Sequence, residues 1–540
     1  MSQSSGASTA KTWPEQSLLS GPSSALAKIQ PILVRWWPQP GPAPAWVAVV
    51  AGAVGLLAAL LIPGTPRPGI DLVICGLAAA MPVALLAYRS GRQAGRRWPV
   101  GRVSIALGLV AAGLLAVSAV RASEWLAWGC AAAALCLGAA VALDARRWHA
   151  VIATVPLFGV AVLRALPWAG RVVQAGPVGQ VGRIRALPRA WFTGIGVGAA
   201  CTLVVAGLLA SADDAFAEVI AVLWPSVDLG MLPARGLMFI AAAGTVLGAM
   251  FAVSTQLTLP RPAAATEPGG RHPAEWLIPL VLVAVTIAAF LAVEATMLFG
   301  GADVVQQLNS VSHAERARQG FGQLSVVTLI VLVLLAWSGH AAAAGPAKHR
   351  WLMGTVGGGL LVLALLLAAS ALRRLWLYQD AYGWTVTRLN AGAFELWVAV
   401  VLLGVAVGWL LRRTDLLPRF LAGSAGLGLL VMGMLGPDAL VASANVDRYE
   451  QSHQIDRYYV AALSADAVPA LSRLPEPLRS CVLAGQTVAN DPWFGWNLSR
   501  SRADALLRSQ PPTSVPTQTC DEASNRAIAP AAAGVRTPGS

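Results

Sequence analysis

The chain has 540 residues, of which 56% are hydrophobic and only 12% charged, and its formal net charge is +13. A soluble domain carries about 25% charged residues, and apolar stretches of about 18 or more residues recur here, each long enough to cross the roughly 30 Å hydrocarbon layer as a helix. This composition excludes a soluble globular enzyme. The basic residues do not point to nucleic acid either, because they sit in short loops beside apolar runs, where they set orientation in a membrane.

Residues 1–44 are rich in Ser, Pro and Ala without periodicity and read as a disordered cytoplasmic tail. Trp36 and Trp37 just before the first apolar run suit an interfacial belt. That run begins near Ala45, so no cleavable signal is evident and it is expected to act as an uncleaved anchor. Spans follow at 45–62, 70–88, 103–120 and 124–143. The loop from Arg89 to Arg102 holds five arginines, whereas those around Arg67 and Arg121 hold one each. The stretch 150–166 contains Pro156, ends in Arg164 and is flanked by basic residues on both sides. The positive-inside rule therefore reads it as re-entrant or interfacial, within a cytoplasmic region 144–189.

Further spans are read at 190–210, 235–258, 276–299, 321–341, 352–370, 391–411 and 418–436. The fold class is an all-α integral membrane protein, a polytopic bundle of about eleven transmembrane helices (roughly ten to twelve) with a small C-terminal helical extramembrane domain. With the N-terminus inside, the loops at 259–275, 342–351 and 412–419 fall on the cytoplasmic side, each carrying Lys or Arg. The segments 211–234, 300–320, 371–390 and everything after Gly436 fall outside. Residues 437–508 are mixed in character and long enough for a small domain, with a helix start at Ser464 and Pro469 early in its first turns. Residues 509–540 read as a disordered tail. Cys75, Cys130, Cys136 and Cys201 lie in apolar spans as small core residues. Cys481 and Cys520 both lie in the outer segment, where an oxidising exterior allows them to pair.

The most informative stretch is Arg373–Arg388, a polar and aromatic island between two spans. As a helix it places Arg373, Trp376 and Asp380 on one face and Arg374, Tyr378 and Tyr382 on its neighbour. Gly383 lets the chain turn, and Thr385 can cap the next helix. The other outer segments carry Ser211-Ala-Asp-Asp-Ala-Phe216, Ala314-Glu-Arg-Ala-Arg-Gln-Gly-Phe-Gly-Gln-Leu324, Asn445-Val-Asp-Arg-Tyr449 and Leu463-Ser-Ala-Asp-Ala-Val-Pro-Ala-Leu471. Together with the island, these resemble a family of bacterial polytopic membrane proteins classed as domains of unknown function, the 4153/4173 group. The resemblance spans about residues 190–475. Its third motif reads Tyr-Gly-Leu-Thr, and here Trp384 stands in the Leu position. The family implies the membrane architecture and brings no activity, substrate or cofactor.

By this topology Asp213, Asp214, Glu294, Arg373, Arg374, Asp380, Arg388 and Glu395 converge on the outer leaflet. An ionisable group within a span costs several kcal/mol unless it is paired or wetted, so Glu294 and Glu395 should face the bundle interior. Arg373, Arg374 and Arg388 are their candidate partners, and Arg388 lies two helical turns before Glu395 on the same face. The cluster reads either as a polar pocket for a cation, proton or head group, or as ion pairs that fix helix packing. Catalytic signatures are absent: no His-Glu-x-x-His, no Gly-x-Ser-x-Gly elbow, no phosphate-binding glycine loop, no dinucleotide fingerprint. No metal or cofactor is expected, His313 beside Glu315 being the one pair to check. The expectation is a multi-pass protein of the bacterial cell membrane, non-enzymatic, whose outer loops and C-terminal domain bind an envelope component or a membrane protein. A transporter or membrane-embedded enzyme using the carboxylates and arginines is the alternative.

Overall fold

The computed structural model describes residues 37, 43–65, 67–93, 101–145, 148–170, 229–255, 272–299, 321–343, 345–486 and 491–528. The expected span 190–210 and residues Asp213, Asp214, His313 and Glu315 lie outside them. Every regular element among the described residues is helical, and ten helices are long and apolar enough to cross a membrane. They are α1 (Ala45–Leu61), α2 (Ile70–Gln93), α3 (Arg102–Val120), α4 (Glu124–Ala142), α6 (Leu232–Ser254), α7 (Pro273–Phe299), α8 (Phe321–Ala343), α9 (Ala347–Tyr382), α10 (Val386–Leu410) and α11 (Leu417–Leu435).

The spans pack as three groups, each around its own apolar centre. Val47, Ala51 and Val54 of α1 meet Met250 and Phe251 of α6. Leu114 and Val117 of α3 meet Leu126, Cys130 and Leu137 of α4, with α11 against them. Trp276 and Leu280 of α7, Val331 and Leu335 of α8, Leu360 and Ala364 of α9, and Val398 and Leu402 of α10 form the third. Close approach depends on small residues, as is usual where lipid tails are as apolar as the side chains. A Cβ on Gly55 of α1 would lie 2.9 Å from the Phe239 carbonyl oxygen of α6, so any larger residue there drives the two helices apart.

The 150–166 stretch falls largely in α5 (Thr154–Gly170), whose Ala161, Ala165 and Trp168 are buried against α1 and α6 while Val155, Leu163 and Leu166 are exposed, so one face packs on the bundle and the other looks outward. Two expectations on single residues change. Trp37 is no belt residue: it is 2% exposed, lies 5.6 Å from the Phe251 ring, and its indole N–H donates to Thr255 Oγ1 at 2.6 Å. Cys136 faces outward from α4, while Cys75 and Cys130 are buried.

Other tryptophans are exposed near the span ends. Trp125, Trp128, Trp493 and Trp496 are exposed near one end of the bundle, and Trp148 and Trp351 near the opposite end, where amphipathic rings favour head-group depth. At that opposite end Arg419 pairs with Asp144 at 2.8 Å.

α9 is 36 residues long, roughly 54 Å, well beyond the 30 Å core. Its last turns carry the Arg373–Tyr382 island toward the C-terminal domain. α11 ends at Gly436, whose φ of +71° starts α12 (Pro437–Ser452) and the C-terminal domain. That domain adds α13 (Arg457–Ala461), α14 (Val468–Leu471), α15 (Leu478–Leu483), α16 (Leu498–Ser509) and α17 (Thr517–Ile528). Its core of Val441, Val446, Val460, Val468, Leu471, Leu483 and Leu507 also takes in Trp384, Val386 and Leu389 from the turn between α9 and α10. The domain extends past the expected boundary at 508. Thr513 N–H donates to Ser480 Oγ at 3.0 Å, and a disulfide joins Cys481 of α15 to Cys520 of α17 with Cα atoms 5.7 Å apart. Residues 509–528 are therefore a tethered strap of the domain and not a disordered tail.

Candidate functional site

Of the eight charged residues grouped by sequence, Asp213 and Asp214 lie outside the described residues, and the other six make separate contacts. Glu294 of α7 accepts from the Ser370 hydroxyl at 2.6 Å and pairs with Arg374 at 3.1 Å, both on α9. Arg374 also lies over the Phe290 ring, one turn earlier on α7. Glu395 of α10 is 0% exposed and accepts from the Ser325 hydroxyl of α8 at 2.6 Å, while its Oε1 has no hydrogen-bond partner among the described residues. Leu324, Leu367 and Ala371 form an apolar plug beside Ser325 and Ser370, so both carboxylates flank the same layer of the bundle. The expected arginine partner thus exists for Glu294 and not for Glu395.

Arg388 points away from Glu395. Its guanidinium donates to the Gly383 carbonyl at 2.6 Å and stacks 4.2 Å from the Tyr378 ring centroid, while Tyr378 and Tyr382 rings lie 5.0 Å apart. The charge therefore staples the turn at the top of α9. Gly383 has φ +83° and ψ 169°, a conformation open only to glycine. Thr385 caps α10 by accepting from Arg388 N–H at 3.3 Å. Arg373 and Asp380 are exposed.

The Asn445–Tyr449 motif completes that turn. The Asn445 amide accepts from Trp384 N–H at 3.2 Å and donates to the Trp384 carbonyl at 2.9 Å, satisfying both backbone groups of one residue. Tyr459 Oη accepts from Val386 N–H at 2.7 Å. The third and fourth family-like motifs are thus two sides of one contact between bundle and domain.

A second, denser contact joins the domain to the loops of the N-terminal spans. Helix ends leave their last carbonyls unpaired, and here domain and loop side chains fill that need. Asn497 donates to the carbonyls of Ser118 and Arg121 at 2.8 and 2.7 Å, while its Oδ1 caps α16 by accepting from Arg500 N–H. Arg121 donates to the Gly433 carbonyl at 2.8 Å and to that of Met434, at the end of α11. Arg500, 3% exposed, pairs with Asp491 at 2.5 Å and donates to the carbonyls of Gly495 and, across the junction, Pro68 at 3.1 Å. Ile70 N–H donates to the Trp496 carbonyl at 3.1 Å.

Asp466, in the Ser464-Ala-Asp motif, accepts through Oδ2 from the N–H groups of Ala122 and Ser123 at 3.0 and 3.2 Å. Burial pushes its carboxyl above the ordinary range, partly offset by the Ser499 hydroxyl and the nearby Arg121. Between Asp466, α12 and α16 lies a cavity of about 340 Å³ lined by Arg121, Ser443, Arg473, Ser499 and Arg502.

Sequence reasoning located Asp466 and Asn445 as motif members but missed Ser325, Ser370, Asn497 and Arg500. Asn497 carried a readable signal, an N-cap residue type directly before a helix. The others carried none, because their roles depend on which helices lie beside them. No group of three or more His, Cys, Asp or Glu that could hold a metal occurs among the described residues.

The model of a family described as a domain of unknown function, DUF4153, matches residues 109–474, well over half the chain and starting well before residue 190. No curated protein and no solved structure matches the chain.

Proposed function

We propose, for a chain that belongs to the DUF4153 family of domains of unknown function, that this integral membrane protein is a non-enzymatic binding protein of the cell membrane. In this reading the bundle presents the C-terminal domain and the α9–α10 turn on the extracytoplasmic side, where they bind an envelope component or another membrane protein. The observation that carries it is the buried polar junction of Asn497, Arg500 and Asp466, which holds the domain in one orientation on the span ends. A domain that merely trailed from the bundle would need no such network.

Two features support the orientation. The Cys481–Cys520 disulfide suits an oxidising compartment. Arg89, Arg92, Lys348, Arg350, Arg412, Arg413 and Arg419 gather at the opposite end, as cytoplasmic loops require. Complementation of cells lacking the protein tests the binding role. A Glu294→Gln/Glu395→Gln variant inserted at the normal level should complement, and an Arg500→Met/Asn497→Ala variant, with its domain released, should not. Failure of the well-inserted carboxylate variant would overturn this reading. It would favour the second one, a transporter or membrane-embedded enzyme, for which the unpartnered buried Oε1 of Glu395 speaks.

A further inference from the structure

We propose that the junction cavity beside Asp466 binds a phosphate-bearing anion, which gives the binding role above a ligand class and rests on that reading. The cavity measures about 340 Å³, at the small end of ligand sites and sufficient for a phosphate ester head group. Three guanidinium groups from three different parts of the chain line it: Arg121 after α3, Arg473 after α14 and Arg502 on α16. Ser443 and Ser499 add hydroxyls.

Two of the three guanidinium groups carry no ion pair among the described residues, and the third keeps free donors. Arg121 is fixed by the Gly433 and Met434 carbonyls and forms no ion pair within 4.0 Å among the described residues. Arg502 forms none either and is exposed. Arg473 meets both Asp447 and Glu450 through the single nitrogen Nη2, at 2.6 and 3.0 Å, and its Nε and Nη1 have no partner among the described residues. Asp466 is the one carboxylate in the lining, its Oδ2 is occupied by the Ala122 and Ser123 N–H groups, and burial disfavours its charged form. Ser499 and Arg502 sit in the first turns of α16, whose amide dipoles add to the positive potential. Forked guanidinium donors suit phosphate oxygens. A cation would find the Asp466 carboxyl facing the unpaired guanidinium groups of Arg121 and Arg502.

The cavity reaches the spans through Arg121, the residue that ends α3 and donates to the last carbonyls of α11, so it opens beside the span ends on the domain-bearing side. The phosphate can therefore come from a phospholipid of the adjoining leaflet or from a soluble ester. The full chain in phosphatidylcholine nanodiscs would be titrated with inorganic phosphate and glycerol 3-phosphate, with chloride at matched ionic strength as control, following Tm. In parallel, native mass spectrometry would count phosphatidylglycerol retained by protein taken from mixed phosphatidylcholine/phosphatidylglycerol discs.

Either arm supports the site if the wild-type signal weakens about tenfold or more in Arg473→Gln/Arg502→Gln, the loss expected for one or two charge-assisted bonds, and not in Arg412→Gln/Arg413→Gln at the other end. Retention without a response to the soluble probes assigns the lipid source, and the converse assigns the soluble one. If neither arm separates the two double variants, or chloride acts as phosphate does, the proposal is overturned. The proposal and the functional reading fail separately. Phosphate binding lost in a double variant that still complements would sink the binding function and leave the site standing.

Discussion

The two polar regions of the molecule solve one problem in opposite ways. Inside the bundle, Glu294 and Glu395 each accept from one serine hydroxyl of a neighbouring helix, with one arginine added for Glu294, while one oxygen of Glu395 has no partner among the described residues. At the junction, Asn497, Arg500, Arg121 and Asp466 each bind two or more backbone groups, and between them they tie the Pro68 loop, the Ser118–Ser123 loop and the end of α11 to one another and to the domain. The first arrangement makes an unavoidable charge tolerable within a span. The second spends polar side chains where water was available to all of them, so it fixes relative position. Orientation of the domain is what the junction supplies.

The comparison breaks most easily at Arg500. Arg500→Met leaves the Asp491 carboxylate and the Pro68 and Gly495 carbonyls without their donor in a nearly dry site, and is expected to cost about 3–5 kcal/mol. A lowered Tm and rapid proteolysis between bundle and domain would show it. Gly383→Ala comes next, at about 1–3 kcal/mol, because its backbone lies at φ +83° and an added Cβ would meet Arg448 Nη1 at 2.9 Å and Asn445 Oδ1 at 3.1 Å. Here the loss should appear as faster hydrogen exchange in the α9–α10 turn and at Trp384.

Asp466 sharpens the contrast through pH. Its native pKa is raised above the ordinary 3.8, so the folded state prefers the protonated form. Docking stability is then fullest below that value, falls as pH climbs through the window between 3.8 and the raised native value, and levels off above it. Asp466→Asn should remove that slope in a Tm-against-pH series; an unchanged slope would assign it to another group. The smallest effect belongs to Glu395→Gln. The amide keeps an acceptor for Ser325, and the change is expected to cost about 1 kcal/mol or less in thermal unfolding.

Ten spans could be read from apolar run length, and the island was readable as a helix followed by a turn because Gly383 and Thr385 are residues with specific conformational uses. The helical packing of 154–170 was hidden, since the positive-inside rule weighs flanking arginines and is blind to a partner such as α6 waiting beside the segment. The same blindness misplaced Trp37, which carries a belt residue's chemistry but packs on Phe251. The serine partners of Glu294 and Glu395 were hidden for a different reason, although Arg374 was already a candidate for Glu294. Sequence gives the face on which a carboxylate lies, whereas the choice between Arg388 and a serine depends on how neighbouring helices are rotated. Arg500 was hidden most completely, because its partners are carbonyls, which every residue has.

The central claim is that the island and the C-terminal domain share one face of the bundle while the basic loops hold the other. It is tested most directly by labelling intact cells with a membrane-impermeant maleimide. Single cysteines would be placed at Asp380 and Ala462 on one side and at Lys348 and Asp415 on the other, with Cys75, Cys130, Cys136 and Cys201 replaced and the Cys481–Cys520 disulfide retained. The account predicts that Asp380→Cys and Ala462→Cys label at once, and Lys348→Cys and Asp415→Cys only after permeabilisation. Labelling of Asp380→Cys and Lys348→Cys together, or a pattern that splits Asp380→Cys from Ala462→Cys, would contradict it.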